Sequence, residues 1–187
     1  MTDKQKQYEL LYKQLLALAE GESDEVAMMA NTAALLHDAF HFWWTGFYRV
    51  VGEELVLGPF QGPVACTRIP FGRGVCGTAW KMRQTIIVPD VEQFPGHIAC
   101  SSASRSEIVV PLFRDDRVVA VLDIDSEHLA TFDETDRVGL EKLAGILGDS
   151  FQFSVFNSPL SIFNLFVFLS RCSFRGPDGR KAGDRHI

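Results

Sequence analysis

Three cysteines in the middle of the chain are the residues whose chemistry depends most on their surroundings. Cys66, Cys76 and Cys100 fall in or beside a loop-rich region. A single loop cysteine is usually structural, but three close together favour a shared role. One role is a redox pair, in which one thiolate attacks and a second cysteine resolves the intermediate as a disulfide. The other is a zinc site with His97 as fourth ligand, although the Cys-x-x-Cys spacing typical of such sites is missing.

Three acidic residues follow the cysteines. Asp123 and Asp125 are two positions apart in "VVAVLDIDSE", so both point to one face of a strand. Glu107 begins the preceding predicted strand. A two-residue turn at Asp115-Asp116 would place Glu107 on the opposite face, whereas a three-residue loop or a bulge at Pro111 would bring the three acids together.

Convergence of the acids would define a specific chemistry. Crowded carboxylates attract a cation such as an α-ammonium group, and they raise the pKa of at least one member. A carboxylic acid that stays neutral can protonate an oxygen that leaves a substrate. The same crowding opposes ionisation of a nearby thiol. The arrangement therefore suits a reaction in which thiol attack and oxygen protonation occur together.

Hydrophobic periodicity predicts the elements that position these residues. A helix is expected over 5–19, and a second after an N-cap at Ser23, with an apolar stripe at Val26, Met29, Ala33, Leu36 and Phe40. "WWTGFYRVV" and "ELVLGPF" read as a hairpin in which Trp43 and Trp44 take opposite faces. Residues 61–84 are predicted to be a long loop with a short helix near "CGTAWKM".

The second half of the chain continues with strands and ends in a helix. "TIIVP", "SEIVVPLF" and "RVVAVLDID" are predicted strands, and Val119 and Val121 are expected on the face of the aspartates. The last helix, "TFDETDRVGLEKLAGIL", has Asp133 as its expected cap. This order predicts an α+β fold, an antiparallel sheet with helices packed on one face.

Composition narrows the class of protein. The length of 187 residues is typical of one domain, and the net charge of −6 argues against nonspecific nucleic-acid binding. The N-terminus lacks the apolar core of a signal peptide, so we expect a cytoplasmic protein with reduced thiols.

A Phe-rich tail is predicted at 150–187, after a domain at 1–149. Its apolar part, Leu160–Leu169, is ten residues long, whereas a membrane span needs about 20, so no span is expected. The tail is either a membrane-touching or dimerising segment, or an appended segment without chemistry.

Several motifs together resemble a known family. "FWWTGFY", "GPFQGPVACTRIPFGRGVCGTAW", "VPDVEQFPGHIACSSASRSEIVVP" and "VLDIDSE" are similar to those of the free methionine-(R)-sulfoxide reductases, single-domain proteins with a GAF fold. The similarity extends from the first helix to about Leu147 and excludes the tail. The resemblance implies a GAF-like sheet, no metal and no cofactor.

The resemblance also implies a role for each candidate residue. Cys100 would attack the sulfoxide sulfur of free methionine sulfoxide, Cys66 would resolve the sulfenic acid as a disulfide, and Cys76 would be an alternative resolver or relay. Thioredoxin would restore the dithiol, and a homodimer is left open.

Five residues would bind the substrate. Glu107 and Asp125 would hold and protonate the oxygen, and Asp123 would bind the ammonium group. Trp44 would pack on the S-methyl group, with Tyr48 nearby. The alternative is a GAF module that senses a small molecule without catalysis, but the sequence has no output domain and the cysteines would then be idle.

Overall fold

A computed structural model describes residues 1–98, 100 and 102–156, with side chains described as far as residue 148. In these residues the chain forms four α-helices, one 3₁₀ turn (Val91–Gln93) and six strands. Their bounds are α1 Asp3–Ala19, α2 Glu25–Phe40, β1 Trp44–Val51, β2 Glu54–Gln61, β3 Arg68–Pro70, α3 Gly74–Met82, β4 Ile86–Val88, β5 Ser106–Arg114, β6 Arg117–Ser126 and α4 Glu134–Phe156.

The strands form one antiparallel sheet in the order β3-β2-β1-β6-β5-β4. The predicted α+β fold is confirmed. The short edge strand β3 lies inside the segment predicted to be a loop. It was missed because three residues are too few to show an alternating pattern.

Each face of the sheet carries its own core. Phe47, Ile108 and Leu122 point to the face covered by α1, α2 and α4. Their neighbours in sequence, including Tyr48 and Val109, point to the opposite face and pack with α3 and the adjoining loops. Three helices therefore share one face, as predicted, and the short helix α3 covers the other.

The start of α2 differs from its prediction by one residue. Asp24, and not Ser23, is the N-cap, and its carboxylate accepts a hydrogen bond from the Ala27 amide. The buried stripe includes Met28, whereas Val26 is exposed. Serine and aspartate side chains are about equally good at accepting a hydrogen bond from an amide of the first helical turn. Residue type alone therefore did not distinguish Ser23 from Asp24 as the N-cap. The predicted cap of α4, Asp133, accepts from the amides of Thr135 and Asp136.

The β5–β6 hairpin combines two of the alternatives that the sequence left open. Its turn has two residues, Asp115 and Asp116, both with positive φ (47° and 59°), and Arg114 lies opposite Arg117. Positive φ at both central positions is typical of the turn that matches the twist of paired strands. A two-residue turn alone would have put Glu107 on the wrong face.

A β-bulge in the same hairpin restores the register. Phe113 lies opposite Val118 but Leu112 lies opposite Ala120, so Val119 is the extra residue. The bulge is on β6 and not at Pro111, the position that the sequence offered as one alternative. Val119 consequently packs with the core of the other face, and its predicted place beside the aspartates is wrong.

The described residues end at Phe156, the last residue of α4, and so include only the first residues of the predicted tail. No helix in the described part of the chain is long and apolar enough to cross a bilayer. A compact unit covers Met1–Ser154. Residues 157–187, most of the predicted tail, lie outside the description, so the division into 1–149 and 150–187 stays a prediction.

Candidate active site

A small cavity of about 30 Å³ lies on the face of the sheet that α3 covers. The described residues that line it come from β3, α3, the 97–104 loop and the ends of β5 and β6: Ile69, Gly74, Val75, Cys76, His97, Ile98, Cys100, Ser104, Glu107, Asp123 and Asp125. The cavity thus brings two of the predicted cysteines and all three predicted acids to one place.

The third cysteine is covalently attached to this group. Cys66 and Cys100 form a disulfide, with their Cα atoms 5.3 Å apart across a sequence separation of 34. Both residues are half-buried. The zinc alternative used both sulfurs as thiolates, and in this form they are bonded to each other.

Cys76 remains a free thiol at the floor of the cavity. It lies on α3, is buried, and its Sγ is 3.9 Å from Glu107 Oε1. The pKa of this thiol is well above its ordinary value. Burial is the main cause, and the negative charges of Asp123 and Glu107 add to it. Cys76 is therefore protonated at neutral pH and is a poor nucleophile in this form.

The register of the hairpin brings the acids together. Glu107 lies directly opposite Asp125, and Asp123 is on the same face of β6. Glu107 and Asp123 are 6% exposed, and Asp125 is half-buried. Because side chains opposite each other in antiparallel strands are close neighbours, the three carboxyl groups share one environment.

Burial changes the acidity of all three groups. Loss of solvation raises the pKa of Asp123 to about 6. Loss of solvation, together with the neighbouring Asp123 charge, raises the pKa values of Glu107 and Asp125 well above their ordinary range. Asp123 is thus the acid that ionises first, and Glu107 and Asp125 are suited to remain protonated near neutral pH.

One oxygen of Asp123 has no hydrogen-bond partner among the described residues, although Cys76 and Glu107 hydrogen-bond to the carboxyl group and partly offset the rise in its pKa. Asp123 Oδ1 is buried and accepts no hydrogen bond from any described residue. A buried acceptor without a donor is uncommon in folded proteins and calls for an explanation. A bound cation or donor from outside the protein would satisfy it.

Trp44 and Tyr48 are not among the described residues that line the cavity, although both lie on the same face of the sheet. Trp44 Nε1 donates to the Pro63 carbonyl (3.0 Å), and the Tyr48 hydroxyl donates to the Cys66 carbonyl (3.0 Å). The two residues therefore hold the loop that carries Cys66. Burial raises the pKa of Tyr48, so the hydroxyl stays a donor.

Trp44 also needs a glycine beneath its ring. A Cβ on Gly46 would come within 2.5 Å of the Trp44 ring and 2.4 Å of Phe60 Cβ. The ring stacks on Phe60 with centroids 5.3 Å apart. Trp43 packs with the same cluster, so its predicted position on the opposite face is wrong; β1 begins only at Trp44, and alternation does not apply before it.

Ser104 and Ile98 are site residues that the sequence did not single out. Ser104 is buried and hydrogen-bonds to Asp125, which partly opposes the rise in the pKa of that acid. Both residues flank Cys100 within the segment "HIACSSAS", and their closeness to that cysteine was the only available signal.

Comparison with known proteins connects this geometry to a family. The family model described as the GAF domain matches residues 22–152. The chain is 48% identical over 141 residues to the free methionine-R-sulfoxide reductase of Escherichia coli K12, covering 75% of this chain and 86% of the relative. It is 43% identical over 157 residues to the Saccharomyces cerevisiae protein of the same name, covering 78% and 87%.

A solved structure agrees with these relatives. The X-ray structure of the Neisseria meningitidis free methionine-R-sulfoxide reductase, in complex with its substrate, matches with a TM-score of 0.80 and 57% identity. The match covers 82% of this chain and 93% of that one. The chain therefore belongs to the GAF domain family and, within it, to the free methionine-R-sulfoxide reductases.

Proposed function

We propose that the chain reduces free methionine-R-sulfoxide to methionine, with Cys100 as the attacking thiol and Cys66 as the resolving thiol. The observation that carries this proposal is the Cys66–Cys100 disulfide at the edge of a cavity lined by three acids with raised pKa values. Once the disulfide is reduced, the two thiols supply two electrons and the acids supply a proton.

In the first step, Cys100 Sγ attacks the sulfoxide sulfur while a protonated carboxyl, Glu107 or Asp125, donates its proton to the sulfoxide oxygen. The oxygen passes from the substrate sulfur to Cys100 Sγ, and the carboxyl regains a proton from the Cys100 thiol. Substrate sulfur gains two electrons and Cys100 loses two. The products are methionine and a Cys100 sulfenic acid.

In the second step, Cys66 Sγ attacks Cys100 Sγ and displaces the sulfenic hydroxyl. That hydroxyl leaves as water with the proton of the Cys66 thiol, and the disulfide forms. A dithiol reductant, for which we propose thioredoxin, then returns two electrons and two protons. The raised pKa of Cys76 favours Cys66 as the first resolver and leaves Cys76 as the alternative.

Asp123 is proposed to bind the ammonium group of the substrate, and its unpartnered Oδ1 supports that role. Trp44 is proposed to contact the S-methyl group, with Tyr48 nearby. Since neither lines the cavity of the disulfide form among the described residues, that contact requires a larger pocket in the reduced enzyme. A cytoplasmic location and a homodimer stay predictions.

A substrate panel tests the proposal. The reduced protein is given the free R-sulfoxide, the free S-sulfoxide, the N-acetylated R-sulfoxide and a peptide-bound sulfoxide, and methionine formation is measured. We expect reduction of the free R form only, because inversion at sulfur turns the oxygen away from Glu107 and Asp125, and acetylation removes the charge that Asp123 binds. Comparable rates on the peptide-bound form would contradict the proposal.

Two variants control the assay. Cys100→Ser should form no methionine, whereas Cys172→Ser, which removes the cysteine of the tail, should react as the unchanged protein does. Near-normal activity of Cys100→Ser would show that another residue is the nucleophile.

A further inference from the structure

Cys76, Glu107 and Asp123 form a compact buried cluster. One sulfur or oxygen atom from each lies within 4.8 Å of the other two, and all three residues are buried. The Cys76 Sγ to Glu107 Oε1 distance is 3.9 Å. Two ligands of one tetrahedral zinc ion, with a sulfur bond of about 2.3 Å and an oxygen bond of about 2.1 Å, lie about 3.6 Å apart. The Cys76 and Glu107 atoms are therefore nearly close enough to share one ion, and an Asp123 oxygen lies within 4.8 Å of both.

The electrostatics of the cluster also favour a cation. Asp123 Oδ1 is buried, has no hydrogen-bond partner among the described residues, and belongs to a residue that lines the cavity. The described cavity lining contains three carboxyl groups and a thiol but no lysine or arginine. The negative charge that opposes loss of the Cys76 proton would stabilise a dication at the same point.

We propose that Cys76, Glu107 and Asp123 bind a divalent transition-metal ion of the zinc class while Cys66 and Cys100 are joined as the disulfide. A fourth position would be open to water, as in other sites with three protein ligands. Binding forms a metal–sulfur bond and releases the Cys76 proton, and the proton of Glu107 if it carries one, to solvent; nothing is oxidised or reduced.

This set differs from the zinc hypothesis drawn from the sequence. It shares only Cys76 with the earlier group and needs no thiolate from the disulfide pair. The mixed sulfur and carboxylate ligands suit zinc or cobalt better than calcium or magnesium, which prefer oxygen ligands alone. The site does not depend on the proposed reaction, although it shares the cavity.

The experiment is a titration of the full-length disulfide form with Co²⁺, without added thiol and in a buffer that does not bind the metal. Co²⁺ is chosen because its absorption spectrum depends on which ligands bind it and on their geometry. We expect one ion per chain, a near-ultraviolet thiolate-to-metal charge-transfer band and strong visible absorption typical of tetrahedral coordination. Zn²⁺ should displace the cobalt and remove both signals.

Matched variants identify the ligands. Cys76→Ser should lose the charge-transfer band, whereas Cys172→Ser should keep it. Asp123→Asn and Glu107→Gln should each bind Co²⁺ at least tenfold more weakly, and these two variants keep the test usable if Cys76→Ser does not fold. Circular dichroism checks the fold of each variant.

The outcomes are decisive in both directions. The absence of the band in the unchanged protein, its survival in Cys76→Ser, or unchanged affinity in both carboxylate variants would overturn the proposed site. Because binding is measured without substrate, its failure leaves the reductase proposal intact. Conversely, a protein that binds cobalt as expected but does not reduce methionine sulfoxide would overturn only the proposed reaction.

Discussion

Replacing Asp123 by asparagine should stabilise the fold in a pH-dependent way. Asp123 is 6% exposed, and burial raises its pKa from an ordinary value of 3.8 to about 6. A raised pKa means that the folded protein holds the proton more tightly than the unfolded chain does. Stability therefore falls as the pH rises, from no penalty below 3.8 to the full penalty above 6.

The size of the penalty follows from the shift. The difference between 3.8 and about 6 is about 2.2 pKa units, or about 3 kcal/mol at 1.36 kcal/mol per unit. Asparagine has a similar shape and no charge, so it removes this penalty. Its amide donors need partners in the cavity, and the gain above pH 6 is therefore expected to reach at most about 3 kcal/mol.

The assay is urea unfolding of the disulfide form at a pH below 3.8 and at a pH above 6, with the unchanged protein measured in parallel. Asp38→Asn is the matched control, because it makes the same substitution at an exposed position of α2, away from the site. We expect a gain for Asp123→Asn that appears only at the higher pH. A loss of stability there, or a gain that is the same at both pH values, would refute the assignment of a buried, charged Asp123.

Three further predictions concern turnover. Tyr48→Phe removes the hydrogen bond to the Cys66 carbonyl, worth about 1 kcal/mol. Single-turnover quenching should therefore show methionine formed at the normal rate and the disulfide formed about fivefold more slowly. Tyr12→Phe on α1 is its control, and a selective loss of methionine formation would show that the Tyr48 hydroxyl acts on the substrate and not on the Cys66 loop. Cys66→Ser should complete a first turnover and then be recycled slowly by thioredoxin, and mass spectrometry after one equivalent of substrate should find a sulfenic acid or a disulfide to Cys76. Recycling at the normal rate would show that Cys66 is not the resolver. Removing 157–187, the part of the predicted tail beyond the end of α4, should leave the rate of reduction largely unchanged, and loss of soluble protein would show instead that the tail is needed for folding.

The residue types and spacing in the sequence narrowed the chemistry of the site to a few alternatives, and the resemblance to a family implied which of them applies. Cys66, Cys76 and Cys100 indicated either a redox pair or a zinc site, because three thiols close together in one loop-rich region suit both. Asp123 and Asp125 were placed on one face because alternation in a strand is a local property of the backbone. The helices and most strands followed from the same local periodicity.

The tertiary structure alone decided which of these residues meet. Glu107 faces Asp125 only because a bulge at Val119 offsets a two-residue turn, and the position of a bulge depends on how both faces of the strand pack. The Tyr48 hydroxyl bonds to the Cys66 loop, a contact that the sequence did not predict. That contact joins residues 18 positions apart in sequence and leaves no periodic signal.

The acidity of the site was also beyond the sequence. A carboxyl group is recognisable from its residue type, but its pKa depends on how much water the surrounding residues exclude. The sequence determined that a thiol and acids were available and that strands would carry the acids. The fold buries Glu107 and Asp123 beneath α3 and brings the Cys66 and Cys100 loops together. Only this packing determined which acid keeps its proton and which sulfurs can react. The physical reason is that desolvation and long-range contact are properties of the packed chain.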